Sequence, residues 1–248
     1  LRDRIVINDR PATKGSEMLL GMKLAIGVLA MILAAGYAPA LGLQDGTPVA
    51  TEAQSVMLPG DAGEALLWEG GPRAVLLAHG AAYDAASWTE QAEVMQEDGF
   101  TVLSLESISS ETVAAGIEWL QAEQDANGVV VIGASAGGGG ALSALAEEPD
   151  GVEGLILLGA TGETEGLGEY PKLFIASEGE GMAERLEEMA ANAPGDANRV
   201  EIIPGDAHAQ ATFDNPEGEQ LLGVILTFLE EDASWPDADG TPVASPTD

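Results

Sequence analysis

The stretch with the clearest chemistry is Gly133-Ala134-Ser135-Ala136-Gly137, one serine set among small residues. It follows the apolar, β-branched run Val129-Val130-Val131-Ile132 and precedes a Gly, Ala and Leu stretch that suits a helix, so the order is strand, turn, helix. A serine at such a turn takes up a strained backbone, and strand and helix close together only if the residues two before and two after it are small. Gly133 and Gly137 meet that demand. The turn then holds the Ser135 hydroxyl clear of the chain as a nucleophile. It also aims the Ala136 N–H, at the helix start, toward a developing negative charge. A serine nucleophile needs a base that titrates near neutrality, which singles out histidine, and the chain has two, His79 and His208. With no cysteine, a thiol nucleophile, a disulfide framework and a thiolate metal site are all excluded.

The hydrophobic pattern supplies the elements that must hold these groups. Strands are expected at about 55–58, 64–69, 73–78, 100–105, 129–133, 154–159, 172–177 and 199–203, and helices at about 87–98, 111–125, 136–147, 181–192 and 217–231. Alternating strand and helix units predict an α/β fold, a doubly wound, mostly parallel sheet of about eight strands with helices on both faces. In such a sheet ligands bind at the carboxyl ends of the strands. Three further stretches fall there: Ala78-His79-Gly80-Ala81, Ser177-Glu178-Gly179-Glu180, and the loop Gly205-Asp206-Ala207-His208 after the last strand.

Together these residues resemble the α/β-hydrolase superfamily, over roughly residues 55–231. The Gly-x-Ser-x-Gly turn is similar to its nucleophile elbow, His79-Gly80 to its oxyanion loop, and Gly205-x-x-His208 to its base loop. The resemblance implies Ser135 as nucleophile and His208 as general base. It makes the backbone N–H of Ala81, after Gly80, a second oxyanion donor beside Ala136, and leaves His79 to shape its loop. The family's acid commonly ends the strand before the histidine, about three residues past a small residue, which selects Glu180. Glu178, Glu163 and Glu165 are the alternatives, and most relatives carry aspartate instead. The order Ser135, Glu180, His208 is the family's nucleophile, acid, base order.

About ten residues separate the strand ending near Gly159 from the one starting near Pro171, which leaves no room for a cap domain. A serine at the elbow argues against the haloalkane and epoxide branches, which use aspartate there. The missing cysteine argues against the thiol-dependent dienelactone type, although size and the absent cap make a dienelactone-hydrolase-like group the nearest in kind. The implied activity is hydrolysis of a carboxylic ester through an acyl-serine intermediate, with a small-molecule ester as partner and neither metal nor organic cofactor. The alternatives are a peptidase or acyl transferase on the same three residues, or a binding protein that keeps the fold without turnover.

The 248 residues suffice for one sizeable domain, and the net charge of −33 is unevenly spread. Five of the nine basic residues lie in the first 23 positions, so from residue 41 onward four cations face 39 carboxylates. Such a body should repel nucleic acid and anionic membrane surfaces. It suits saline surroundings, where dissolved cations screen self-repulsion, or an ordinary acidic exported protein. Residues 1–17 read as an untranslated or disordered leader, with Met18 or Met22 as initiator, and 18–40 as a signal peptide. In that segment Lys23 precedes the uncharged run Leu24 to Ala35, which is short for a membrane span, and Ala38-Pro39-Ala40 offers small residues for cleavage. The expectation is export, with an uncleaved membrane anchor as the alternative. Residues 41–54 read as a linker, 55–232 as the hydrolase-like domain and 233–248 as a disordered tail. Nothing in the sequence sets an oligomeric state.

Overall fold

Alternating apolar side chains build the centre of the molecule. In β3 (Arg73–Ala78), Ala74, Leu76 and Ala78 join one buried cluster while Val75 and Leu77 join another. In β5 (Gly128–Ala134), Val129 and Val131 face the first cluster and Val130 and Ile132 the second. β5 is buried throughout and β3 from Ala74 onward, as a period of two with apolar residues on both faces requires when each face is covered.

The computed structural model describes residues 52–236; the expected leader, signal segment, most of the linker and residues 237–248 lie outside them. Among the described residues no helix is long and apolar enough to cross a membrane, and the run 24–35 is not among them. The remaining strands are β1 (Gln54–Met57), β2 (Glu64–Trp68), β4 (Thr101–Leu105), β6 (Val152–Leu158), β7 (Lys172–Ser177) and β8 (Asn198–Ile203). They form one eight-stranded sheet in the order β1-β2-β4-β3-β5-β6-β7-β8, parallel from β4 to β8 and antiparallel at the β1–β2 and β2–β4 pairs. Helices α2 (Ser110–Glu123), α3 (Ala136–Leu145) and α4 (Ala183–Asn192) cover one face; α1 (Thr89–Glu97) and α5 (Gly218–Thr227) cover the other. The strand order reverses around β3, between β4 and β5, so the crevice that opens there is bordered by the ends of β3 and β5. Among the described residues no cap domain is inserted.

Most boundaries shift by one or two residues, and α5 ends four residues early where a π-helical turn, Phe228–Asp232, takes over; two further differences bear on the packing. The helix expected from residue 87 is preceded by a 3-10 turn, Ala85–Trp88, because the Asp84 side chain accepts from the Ser87 N–H and starts the turn early. The packed body also runs past the expected end at residue 232, which corrects a disordered tail starting at 233. The Ala233 N–H donates to Phe228 O and the Ser234 N–H to Glu153 O, while the Trp235 indole N–H donates to Leu229 O at 2.6 Å. The Trp235 ring lies 5.8 Å from Phe100, with the Arg73 guanidinium 4.3 Å above Phe100, so an aromatic and cation–π stack holds this segment.

The far edge of the sheet carries a buried cation. Lys172, the first residue of β7, is fully buried, and its ammonium donates to Gly168 O and Tyr170 O at 2.6 Å and to Pro194 O at 2.8 Å. No carboxylate touches it, so burial pushes its pKa down to about 8, the nearby charge of Glu169 opposing the drop. Between pH 8 and about 10.5 the unfolded chain therefore binds a proton that the folded chain has released, and stability gains as pH rises through that window. The stability of the wild-type chain relative to Lys172→Met should be flat below pH 8 and grow from pH 8 to about 10, read by urea unfolding across pH. A difference independent of pH would contradict this placement of the ammonium.

Candidate active site

The turn from β5 into α3 is as tight as its glycines suggest. Ser135 sits at φ 48°, ψ −110°, a left-handed conformation that an L-residue holds only when its surroundings enforce it. A Cβ on Gly133 would stand 2.6 Å from the Gly138 Cα, and one on Gly137 would collide with the backbone carbonyls of Ala78 and His79. Strand and helix therefore touch backbone to backbone. Gly80 is less constrained, since a Cβ there would meet Tyr83 at 3.4 Å and the Ser135 Cβ at 3.8 Å, ordinary contacts. Two hydrogen bonds lock the turn to its neighbours: Ser135 N–H to Leu158 O at 2.8 Å, and Gly137 N–H to His79 O at 3.1 Å.

The Ser135 Oγ lies 2.8 Å from His208 Nε2, and His208 Nδ1 lies 2.5 Å from Glu180 Oε1. A carboxylate only accepts, so Nδ1 donates, and the lone pair on Nε2 faces the serine hydroxyl. The acid is itself fixed: Glu180 Oε2 accepts the Ser177 N–H at 2.8 Å, and the Ser177 hydroxyl donates to Ala207 O at 2.5 Å, one residue before His208. The Glu180 side chain is 7% exposed and that of His208 56%, so the carboxylate is sheltered while the ring opens to solvent. A cleft of about 180 Å³ opens on Ser135 and His208, walled by Gly80, Ala81, Ala82 and Tyr83. The Ala136 N–H, first in α3, has no acceptor within the helix, as at any helix start. Ala81 is a central residue of the turn closed by the Tyr83 N–H on Gly80 O at 3.0 Å.

Solved structures with this architecture were found, although no family model matches the sequence and no curated protein matches it. A dienelactone hydrolase from Anabaena variabilis superposes with a TM-score of 0.64 at 21% identity, over 75% of this chain and 99% of that one. An esterase from Exiguobacterium antarcticum gives 0.56 at 13% identity, over 72% of this chain and 100% of that one. A proline iminopeptidase from Mycobacterium smegmatis gives 0.57 at 11% identity, over 72% and 98%. The chain has the α/β-hydrolase fold.

Within that α/β-hydrolase fold the second histidine and the alternative acids stay outside the hydrogen-bonded chain of Ser135, His208 and Glu180. His79 is buried and its ring nitrogens face Gly80 O at 2.8 Å and Glu106 O at 3.2 Å, which ties the ends of β3 and β4 together. Glu178 opens the 3-10 turn Glu178–Glu180 and is exposed. Glu165 accepts the Thr164 N–H at 3.1 Å, and the backbone N–H groups of Glu165 and Thr164 hold its carboxyl below the usual range. No hydrogen bond joins Glu178, Glu163 or Glu165 to His208. Among the described residues no group of His, Asp and Glu is placed to hold a metal ion.

Sequence reasoning missed two residues at the site. Gly159, just past β6 at φ 56°, forms the floor beneath the pair: a Cβ there would stand 3.0 Å from His208 Cε1 and 3.1 Å from Glu180 Oε1. Its signal was a lone glycine at a strand end. Gln210 is 3% exposed; its Oε1 accepts the Gly80 N–H at 3.2 Å and its Nε2 donates to Ser87 Oγ at 2.8 Å, tying the histidine loop to the loop after β3. The Nδ1 proton of His208, shared with Glu180 over 2.5 Å, should resonate far downfield in the proton NMR spectrum. That signal should be lost in Glu180→Gln and kept in Glu178→Gln; the reverse pattern would move the acid by two residues.

Proposed function

We propose that this protein is a serine hydrolase that cleaves carboxylic esters through an acyl-serine intermediate. The observation that carries the reading is the unbroken chain Ser135 Oγ, His208 Nε2, His208 Nδ1, Glu180 Oε1 at 2.8 and 2.5 Å, set at a strained elbow. The Ser135 oxygen attacks the ester carbonyl carbon as His208 Nε2 takes its proton, and Glu180 stabilises the imidazolium through Nδ1. The N–H groups of Ala81 and Ala136 receive the carbonyl oxygen as it becomes an oxyanion. The intermediate collapses and the C–O bond to the alcohol breaks, with His208 handing its proton to the leaving oxygen. Water then attacks the acyl-serine with His208 as base, and the acid departs with Ser135 restored.

The open cleft of about 180 Å³ is smaller than the roughly 300 Å³ at which drug-sized pockets begin, which supports short acyl groups. The esterase neighbours support the same reaction class by fold. The acidic body and the Lys23-led apolar run support an exported enzyme. Turnover of p-nitrophenyl esters of graded chain length should be greatest for short acyl groups and should fall on the order of a million-fold in Ser135→Ala. In Glu180→Gln it should fall on the order of ten-thousand-fold, the circular-dichroism spectrum of each variant being unchanged. Activity of Ser135→Ala within about tenfold of wild type would overturn the reading.

A further inference from the structure

A second recess lies beside the cleft at Ser135. Tyr83 and Gln210 also line this recess of about 340 Å³, whose other walls include Ser87, Phe213, Glu90 and Asp214. Phe213 is braced edge-on against the buried Trp88, with ring centroids 5.7 Å apart. Glu90 and Asp214 are exposed, so two aromatic side chains and two carboxylates line a recess that shares Tyr83 and Gln210 with the cleft.

No described lysine or arginine lines the recess or the cleft at Ser135. Among the described residues there are four lysines and arginines, and three of them sit at the amino end of a strand: Arg73 is first in β3, Lys172 first in β7 and Arg199 second in β8. A six-residue strand is about 20 Å long, so these cations lie a full strand length from the carboxyl ends where Ser135, Glu180 and His208 stand. Each is engaged there: Arg73 with Glu230 at 3.2 Å, Arg199 with Asp232 at 3.0 Å, and Lys172 with its three carbonyls. The fourth, Arg185, in the first turn of α4 past the carboxyl end of β7, pairs with Glu188 at 2.7 Å, over the opposite face of the sheet from α1 and Phe213. In the recess a substrate carboxylate would therefore meet like charge, whereas an ammonium group would meet two carboxylates and two aromatic rings, the combination that attracts a desolvated cation.

We infer that the Tyr83–Phe213 recess is a subsite for a cationic group, and that the preferred substrate is an ester bearing an ammonium a few atoms from the scissile carbonyl. The inference rests on the hydrolase reading for its turnover but not for its binding. The probes are choline butyrate, its uncharged isostere 3,3-dimethylbutyl butyrate, and an anionic counterpart, 3-carboxypropyl butyrate. Calorimetric titration of the full chain carrying Ser135→Ala in 0.15 M salt should show the choline ester binding at least about tenfold tighter than the isostere, and the anionic ester weakest. Adding Glu90→Gln and Asp214→Asn should remove that preference. Adding instead Glu184→Gln and Glu187→Gln, two exposed acids on α4, removes the same charge from the opposite face and should leave the preference in place. Binding of the cationic and neutral esters within twofold of each other would overturn the inference. So would a preference that survives loss of Glu90 and Asp214, or one that falls equally in the α4 control. In the wild-type chain kcat/KM should follow the same ranking. If selective binding is found but no ester turns over, the hydrolase reading falls and the subsite stands; if esters turn over without charge preference, the subsite falls and the reading stands.

Discussion

The structure depends on one backbone constraint, the left-handed conformation of Ser135 between β5 and α3. A non-glycine residue in such a conformation is typically disfavoured by about 1–3 kcal/mol, so it persists only where the surroundings over-determine it. Here they do: the Gly133–Gly138 and Gly137–Ala78 backbone approaches leave no room for relaxation, and the N–H groups of Ser135 and Gly137 are held by Leu158 O and His79 O. Those acceptors lie in or just past β6 and β3, the strands on either side of β5, so the whole central sheet clamps the turn. The fully buried β5 makes that clamp rigid.

From that fixed point the site is assembled by groups distant in sequence. The Ser177 N–H fixes the Glu180 carboxylate and the Ser177 hydroxyl fixes the backbone before His208, so one residue at the end of β7 orients both partners of the hydrogen-bonded pair. Gln210 does the equivalent for the other wall, joining the histidine loop to Gly80 and Ser87. The charge distribution follows the same polarity: the described cations on the sheet are at its amino edge, while no described lysine or arginine lines the cleft or the recess at its carboxyl edge. A binding site lined by no described lysine or arginine at one end, and a desolvated ammonium held by three carbonyls and the Tyr170 ring at the other, are two consequences of placing so few cations in so acidic a chain.

Much of this was legible in the sequence because the physics involved is local. Short continuous apolar runs in Arg73–Ala78 and Lys172–Ser177 placed both strands at their observed bounds, and the small residues around Ser135 announced the elbow. Local spacing also led to Glu180, through the resemblance, and the structure puts that residue against His208. What escaped was tertiary. A glutamine two residues past a loop histidine looks like surface until it is seen to bridge to Gly80, 130 positions earlier. Gly159 looked like any strand-end glycine until the His208 ring was found above it. Trp235, in a stretch rich in Asp, Ser and Pro, read as part of a tail because its stacking partner, Phe100, lies across the fold.

In the proposed mechanism the conformation at Ser135 makes its hydroxyl a nucleophile, and His208 and Glu180 activate it. The most direct test of that mechanism is covalent labelling with a fluorophosphonate probe, followed by peptide mapping of the adduct by mass spectrometry. One adduct per chain is expected, on Ser135, formed by the folded protein and lost on prior unfolding. A folded chain that takes up no label, or takes it up at another serine, would contradict the mechanism.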